Sequence, residues 1–247
     1  MRRPVLVWLG DALSPWRCAD AEARLTADLA ARSGWSVESV RYEPETFPQP
    51  LTRAYLRLGE VQAREAGGLP VAIGGSGFGA GLAAAASQLG RRYGEEPPAA
   101  TVLLAPLLDA RLVSPSWRRF GAEPDLQLME AALATYAPGL DRADPLLSPL
   151  LAERLEGLPT TAIVTAAADP MRDDGERYAE RLRAAGVTVL GHRYSGTDHA
   201  QACAGAACAE GAAVVKGLVG ALRLILSRST QSGGPSSSRR VDVPRPL

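Results

Sequence analysis

The segment Val71-Ala72-Ile73-Gly74-Gly75-Ser76-Gly77-Phe78-Gly79-Ala80-Gly81-Leu82-Ala83 limits the fold more than any other. An apolar, β-forming run enters a cluster of glycines and leaves it as an alanine-rich, helix-forming run. Two kinds of site use that strand–turn–helix shape. In a nucleophile elbow, G-x-S-x-G, small residues let the chain turn sharply enough to expose a serine above a sheet. In a dinucleotide fold, G-x-G-x-x-G/A brings a phosphate close to a helix N-terminus. Gly75-x-Gly77-x-x-Ala80 matches the second pattern letter by letter. Its position argues against that reading: the turn follows the third predicted strand, and Pro106 interrupts the strand whose end should carry a ribose-binding acid.

The rest of the chain supplies the matching layers. Short apolar runs at Val5–Leu9, Ser36–Val40, Val71–Ile73, Thr101–Ala105, Thr161–Thr165 and Val187–Tyr194 read as strands. Between them Leu51, Tyr55, Leu58 and Val61 recur at helical spacing, as do Tyr178, Leu182 and Ala185 before Gly186, and Val215, Leu218, Leu222 and Ile225. Strands that alternate with helices predict an α/β fold, a mostly parallel sheet with helices on both faces. Residues 109–158 hold helical patches but no good strand, and read as an insertion forming a partial lid over the ligand-binding edge. Residues 1–226 are expected to form a single domain. The Ser-, Gly-, Pro- and Arg-rich residues 227–247 are expected to be a disordered tail.

Composition removes whole classes of function. With 247 residues and 46% apolar side chains the chain can bury a large core. Equal counts of 27 basic and 27 acidic residues leave no excess charge for nucleic acid or an anionic membrane. Lys216 is the only lysine, and the arginine bias, with abundant Ala and Gly, reflects nucleotide composition rather than a basic site. No apolar run reaches membrane-spanning length, and Val5–Leu9 is too short for an export signal. Three cysteines, Cys18, Cys203 and Cys208, lack metal-ligand spacing and suit a reducing, cytoplasmic setting. No metal and no cofactor is implied, and a homodimeric partner stays open.

At this point five further blocks, in order, resemble the hormone-sensitive-lipase-like (bacterial carboxylesterase) branch of the α/β-hydrolases. They are Tyr42-Glu43-Pro44-Glu45-Thr46-Phe47-Pro48, Leu104-Ala105-Pro106-Leu107-Leu108-Asp109 and Arg142-Ala143-Asp144-Pro145-Leu146-Leu147-Ser148-Pro149-Leu150, followed by Ala168-Asp169-Pro170-Met171-Arg172-Asp173-Asp174-Gly175 and Tyr194-Ser195-Gly196-Thr197-Asp198-His199. The resemblance covers about Arg3 to Leu226. It implies the α/β-hydrolase fold, with the family's N-terminal cap and first strands missing here, and it places the triad aspartate at Asp169 and the triad histidine at His199.

The same resemblance exposes departures. Laid without a gap on the family's V-x-V-G-G-D-S-A-G-G-x-L-A, the chain puts Gly77, not serine, at the nucleophile's place, with Ser76 before it and Phe78 after it. A one-residue slip restores Ser76 but sets bulky Phe78 where the turn needs a small residue. The family's H-G-G-G oxyanion loop is replaced by Leu9-Gly10-Asp11-Ala12-Leu13, in which Asp11 reads as an exposed loop carboxylate with an acid or base role open. The expectation is therefore a non-hydrolytic, cofactor-independent cyclase- or lyase-type enzyme. His199 and Asp169 would move protons on a small molecule during cyclisation, elimination or isomerisation, plausibly in specialised metabolism. Gly77, Ser76, Phe78, Gly10, Asp11 and Ala12 would line its pocket. Two alternatives stand beside it: a small-molecule-binding pseudoenzyme, and a carboxylesterase using Ser76 in a shifted elbow. Trp8, Trp16, Trp117 and Tyr136 are aromatic-pocket candidates that equally suit a core, and His192 has no assigned role.

Overall fold

The computed structural model describes residues 2–42 and 45–231. Glu43 and Pro44 of the first family-like block, and residues 232–247 of the expected tail, lie outside the described residues.

Strand β1 (Val5–Leu9) leads through helix α1 (Ala19–Ser33) to β2 (Ser36–Val40), and α2 (Gln49–Arg64) leads to β3 (Val71–Ser76). Helix α3 (Gly77–Arg92) and β4 (Ala100–Leu104) follow, and then α4 (Pro115–Phe120) and α5 (Glu123–Tyr136). The chain continues as β5 (Thr161–Ala168), α6 (Arg172–Ala184), β6 (Val189–Asp198), α7 (His199–Cys203) and α8 (Ala209–Gln231). Among the described residues the strands form one six-stranded sheet in the order β2-β1-β3-β4-β5-β6, and every pairing is parallel. This is the α/β architecture expected from the alternating pattern.

Covering both faces explains the apolar runs. β1 and β4 are buried at every position, as a parallel strand with helices above and below must be. Side chains alternate between two cores. Val5, Val7 and Leu9 join α2, α3 and α6 on one face; Leu6 and Trp8 join α1 and α8 on the other. Burying this much apolar surface is the dominant favourable contribution to folding.

Three strands run past the ends read from the sequence: β3 continues to Ser76, β5 to Ala168 and β6 to Asp198. Polar Ser195, Gly196 and Thr197 lie across a register irregularity between Ala166 and Ala168, and pairing with β5 resumes at Asp198, opposite Ala168. The expected tail also starts too early, because α8 runs to Gln231. The hydroxyls of Ser227 and Ser229 bond back to the carbonyls of Leu224 and Ile225, as serines within a helix do. The 109–158 insertion carries α4 and α5 and no strand, and α5 supplies Leu128 and Ala132 to a groove beside the C-terminal end of β1.

The strand order reverses at β1, which has β2 on one side and β3 on the other. Chains leaving β1 and β3 therefore part company, and the crevice between them is where sheets of this kind bind ligands.

Candidate active site

Two neighbouring strand ends place the first pair of side chains. Ala168 pairs with Asp198 across β5 and β6, so Asp169 and His199 are the next residues on adjacent chains. His199 opens α7, whose start is fixed by a capping box between Asp198 and Gln201. Asp169 is fully buried. One of its oxygens accepts the Met171 N–H at 2.8 Å and the other lies 3.0 Å from His199 Nδ1. The imidazole is thereby held in one orientation with Nε2 facing away from Asp169.

The turn after β3 lies at the reversal point. Ser76 is its last strand residue, extended at φ −115°, and Gly77 begins α3 at φ +51°, in the left-handed region that favours glycine. The apex of the turn is thus Gly77. The start of α3 also presses on the chain leaving β1: a Cβ on Gly79 would lie 2.6 Å from the carbonyl carbon of Leu9. Glycine here lets the first turn of α3 reach the loop after β1.

That loop brings Asp11 into the site. A Cβ on Gly77 would lie 2.6 Å from Asp11 Cγ and 3.0 Å from Asp11 Cβ, so the aspartate side chain occupies the space above the apex. Asp11 Oδ1 accepts the N–H groups of Leu13 and Ser14 at 3.2 and 3.1 Å. Asp11 Oδ2 has no hydrogen-bond partner and lies 3.6 Å from His199 Nε2. Asp11 is therefore not the exposed loop carboxylate expected from the sequence: its side chain is only 5% exposed. Trp16, from the same loop, lies 5.2 Å from the His199 ring between centroids and stacks on Trp117 at 6.2 Å.

The charges follow from this packing. Burial alone would lower the pKa of His199; the charge of Asp169 foremost, helped by Asp11, reverses this and holds the imidazole well above its ordinary range. Burial alone would raise the Asp11 carboxyl; the nearby His199, helped by Ser14, outweighs it and holds it below the ordinary range. The two shifts run in opposite directions, and each favours the charged form of its group.

The other candidates are placed as follows. The Ser76 hydroxyl donates to Glu22 Oε2 at 2.7 Å, on a carboxylate that also accepts the Trp8 indole N–H. Burial pushes the Glu22 carboxyl up, and the charge of Asp11 adds to that. Phe78 turns into the core, where its ring meets Tyr136 edge-on at 4.7 Å. Gly10 and Asp11 line a groove of about 1,320 Å³ with Ser14 and Glu22. Ala12 lines a neighbouring cavity of about 420 Å³ with Leu13, Thr135 and Tyr136. Trp8 is fully buried in the core, and the His192 ring packs against Tyr194. Sequence reasoning missed Glu22 and Cys203; the latter brings Sγ to 3.9 Å from His199 Nε2. Their signals were slight: Cys203 is one helical turn after His199, and Glu22 one turn into α1. Among the described residues no His, Cys, Asp and Glu side chains group in threes as a metal site, and no helix is long and apolar enough to cross a membrane.

A profile of the alpha/beta hydrolase fold family matches residues 17–202. Carboxylesterase NlhH of Mycobacterium tuberculosis is 40% identical over 144 residues, which cover 55% of this chain and 45% of that protein. Carboxylic ester hydrolase LipN of the same organism is 38% identical over 194 residues, covering 72% and 50%. The chain thus spans about half the length of the curated relatives it matches. Among solved structures, an esterase of the archaeon Pyrobaculum calidifontis superposes with a TM-score of 0.82 at 27% identity, covering 91% of this chain and 77% of that one. A thermostable esterase from Pseudomonas putida gives 0.80 at 29% identity, covering 91% and 75%. These relatives overturn the expected non-hydrolytic cyclase or lyase. All four are ester hydrolases by name, and the carboxylesterase alternative is the one they favour.

Proposed function

Since the chain belongs to the alpha/beta hydrolase fold family, we propose that it hydrolyses carboxylic esters of small organic molecules in the crevice between β1 and β3. In this reading Gly77 stands where the family-like elbow has its serine, and His199 and Asp169 handle the protons. Gly10, Asp11 and Ala12 border the bound ester, and Ser76, tied to Glu22, supports the turn from below. No cofactor enters the reaction. Three unpaired cysteines agree with a cytoplasmic setting.

The observation that carries the reading is the His199 Nδ1–Asp169 Oδ2 contact of 3.0 Å, with Nε2 turned toward the Gly77 turn. A histidine oriented by a buried carboxylate can give a proton to a departing alcohol and take one from water. The test is hydrolysis of short-chain p-nitrophenyl and phenyl esters by the purified protein. His199→Ala is expected to lower kcat/KM about 10²- to 10⁴-fold, the usual contribution of a positioned acid–base group. Hydrolysis by the wild type no faster than in buffer would refute the proposal.

A second reading, favoured by the glycine at 77, is small-molecule binding without turnover. It predicts that an ester analogue raises Tm with no product formed.

A further inference from the structure

We propose that Asp11 is the covalent nucleophile of this site and that its substrates are esters of acidic alcohols, such as aryl esters. The inference rests on the ester-hydrolysis reading above and adds to it the attacking atom and the leaving-group class.

Position comes first. The turn apex has no side chain of its own, and the Asp11 carboxyl fills the space that any Cβ at Gly77 would claim. The carboxylate sits against the start of α3, whose first-turn N–H groups have no partner within the helix and favour negative charge there. The same donors would favour the oxyanion of a tetrahedral intermediate.

Orientation comes second. Two backbone N–H groups hold Oδ1, which fixes the carboxylate plane and leaves Oδ2 buried and without a hydrogen bond, its nearest charged neighbour being His199 Nε2 at 3.6 Å. Leaving a buried anionic oxygen without a hydrogen bond is costly, and such an atom is the one available to attack a substrate carbon. Asp11 is one of the residues that border the groove, with Gly10, Ser14 and Glu22. Its competitors are worse placed: the Ser76 hydroxyl is committed to Glu22, and burial pushes the Cys203 thiol up and away from its thiolate form.

Asp11 held toward its carboxylate form and His199 held toward its imidazolium form suit this chemistry and would hinder a serine mechanism, which needs a neutral histidine. Asp11 Oδ2 adds to the ester carbonyl carbon. The C–O bond to the leaving group breaks, and the His199 imidazolium gives its Nε2 proton to the departing oxygen. The products are a free alcohol, a mixed anhydride on Asp11 and a neutral His199. Acylation has removed the Asp11 charge that helped keep His199 protonated, so the imidazole can now accept a proton. Water adds to the acyl carbon and its proton passes to His199 Nε2. The anhydride C–O bond breaks, releasing the carboxylic acid and restoring the carboxylate–imidazolium pair. The sum is ester plus water giving alcohol plus acid. A carboxylate is a weak nucleophile that expels an alkoxide poorly, which selects phenol-type leaving groups.

The test uses the wild-type chain with a series of acetate esters, phenyl, 4-methoxyphenyl and p-nitrophenyl, in the presence of hydroxylamine. A common acyl-enzyme predicts one acetohydroxamate-to-acetate ratio across the series, with ethyl acetate turned over at least about 100-fold more slowly than phenyl acetate. Asp11→Asn, verified as folded by its melting curve, is expected to lose both products by on the order of 10³-fold or more. Acid-quenched digests should carry no acetyl group on Ser76 or Cys203. A product ratio that changes with the leaving group, an acetyl group on either of those residues, or full activity in Asp11→Asn overturns the assignment of Asp11 while leaving ester hydrolysis intact. Absence of hydrolysis of every ester overturns the underlying reading as well.

Discussion

Replacing Gly77 with alanine probes the feature on which the site geometry turns. The first cost is conformational: a non-glycine residue at φ +51° loses about 1–2 kcal/mol to the contact of its Cβ with the backbone. The second is steric, because the added Cβ would lie 2.6 Å from Asp11 Cγ and 3.0 Å from Asp11 Cβ. Asp11 must swing away, and in doing so it gives up at least one backbone N–H bond to Oδ1, about 1.5–3 kcal/mol for a charged acceptor. Together these amount to about 3–5 kcal/mol. A chain of this size loses about 2–4 °C of Tm per kcal/mol, so the fall is on the order of 10 °C by calorimetry. The cause is separable by a double-mutant cycle with Asp11→Gly. With the aspartate side chain gone, Gly77→Ala should cost only its conformational part, leaving a coupling of about 2–3 kcal/mol. Additivity of the two changes within about 0.5 kcal/mol would show that Asp11 does not occupy the space above the apex, and the reasoning would fail.

Three further outcomes follow from the buried charges. His199→Gln should cost most stability below pH 6.5, the ordinary imidazole value. Its folded pKa is raised, so the stabilisation is complete below the unfolded value and is lost as pH rises through the folded one; urea titrations from pH 5 to 9 should show the two proteins converging at alkaline pH. Asp174, which accepts from Ser114, Leu108 and Asp109, is pushed by burial up to about 7. A carboxyl raised in the folded state loses stability as pH climbs from about 4 to about 7, by up to about 4 kcal/mol; Asp174→Asn should flatten that slope, and an unchanged slope would assign it elsewhere. Glu22→Gln should cost less than about 1 kcal/mol near neutral pH, since burial already favours the acid form of Glu22; a loss of 3 kcal/mol or more in thermal melts would mean that the carboxylate form is needed there.

The layers of this protein were legible because their signals are local. Continuous apolar runs marked the central strands, and the order of the blocks placed Asp169 and His199 on neighbouring strand ends. What failed was of another kind. The end of β6 is polar, and pairing with β5 resumes only at Asp198, beyond a register irregularity that no apolar pattern marks. Asp11 follows a strand in a loop, where a carboxylate is ordinarily exposed. Its burial is set by the approach of α3 to the end of β1 and by the loop that carries Trp16, contacts between residues more than sixty positions apart in the first case. The reaction class failed for a related reason: the residue type at one turn does not fix what other loops bring to the same site.

Asp169, Asp11 and Glu22 show how the fold allots a limited supply of donors around this site. One imidazolium cannot neutralise Asp169, Asp11 and Glu22 together. Asp169 has the shortest contact with the ring and the Met171 N–H besides. Asp11 stands farther off but gains two backbone donors and the start of α3. Glu22 is left with an indole N–H and a serine hydroxyl, and feels the charge of Asp11 rather than that of His199, so burial drives it toward its acid form. The directions of the two shifts, Asp11 down and Glu22 up, therefore follow the donors around each group. Asp11 is the one held low that also keeps an oxygen with no hydrogen-bond partner. Among the three acids, that combination suits Asp11 alone to attack a substrate held between β1 and β3.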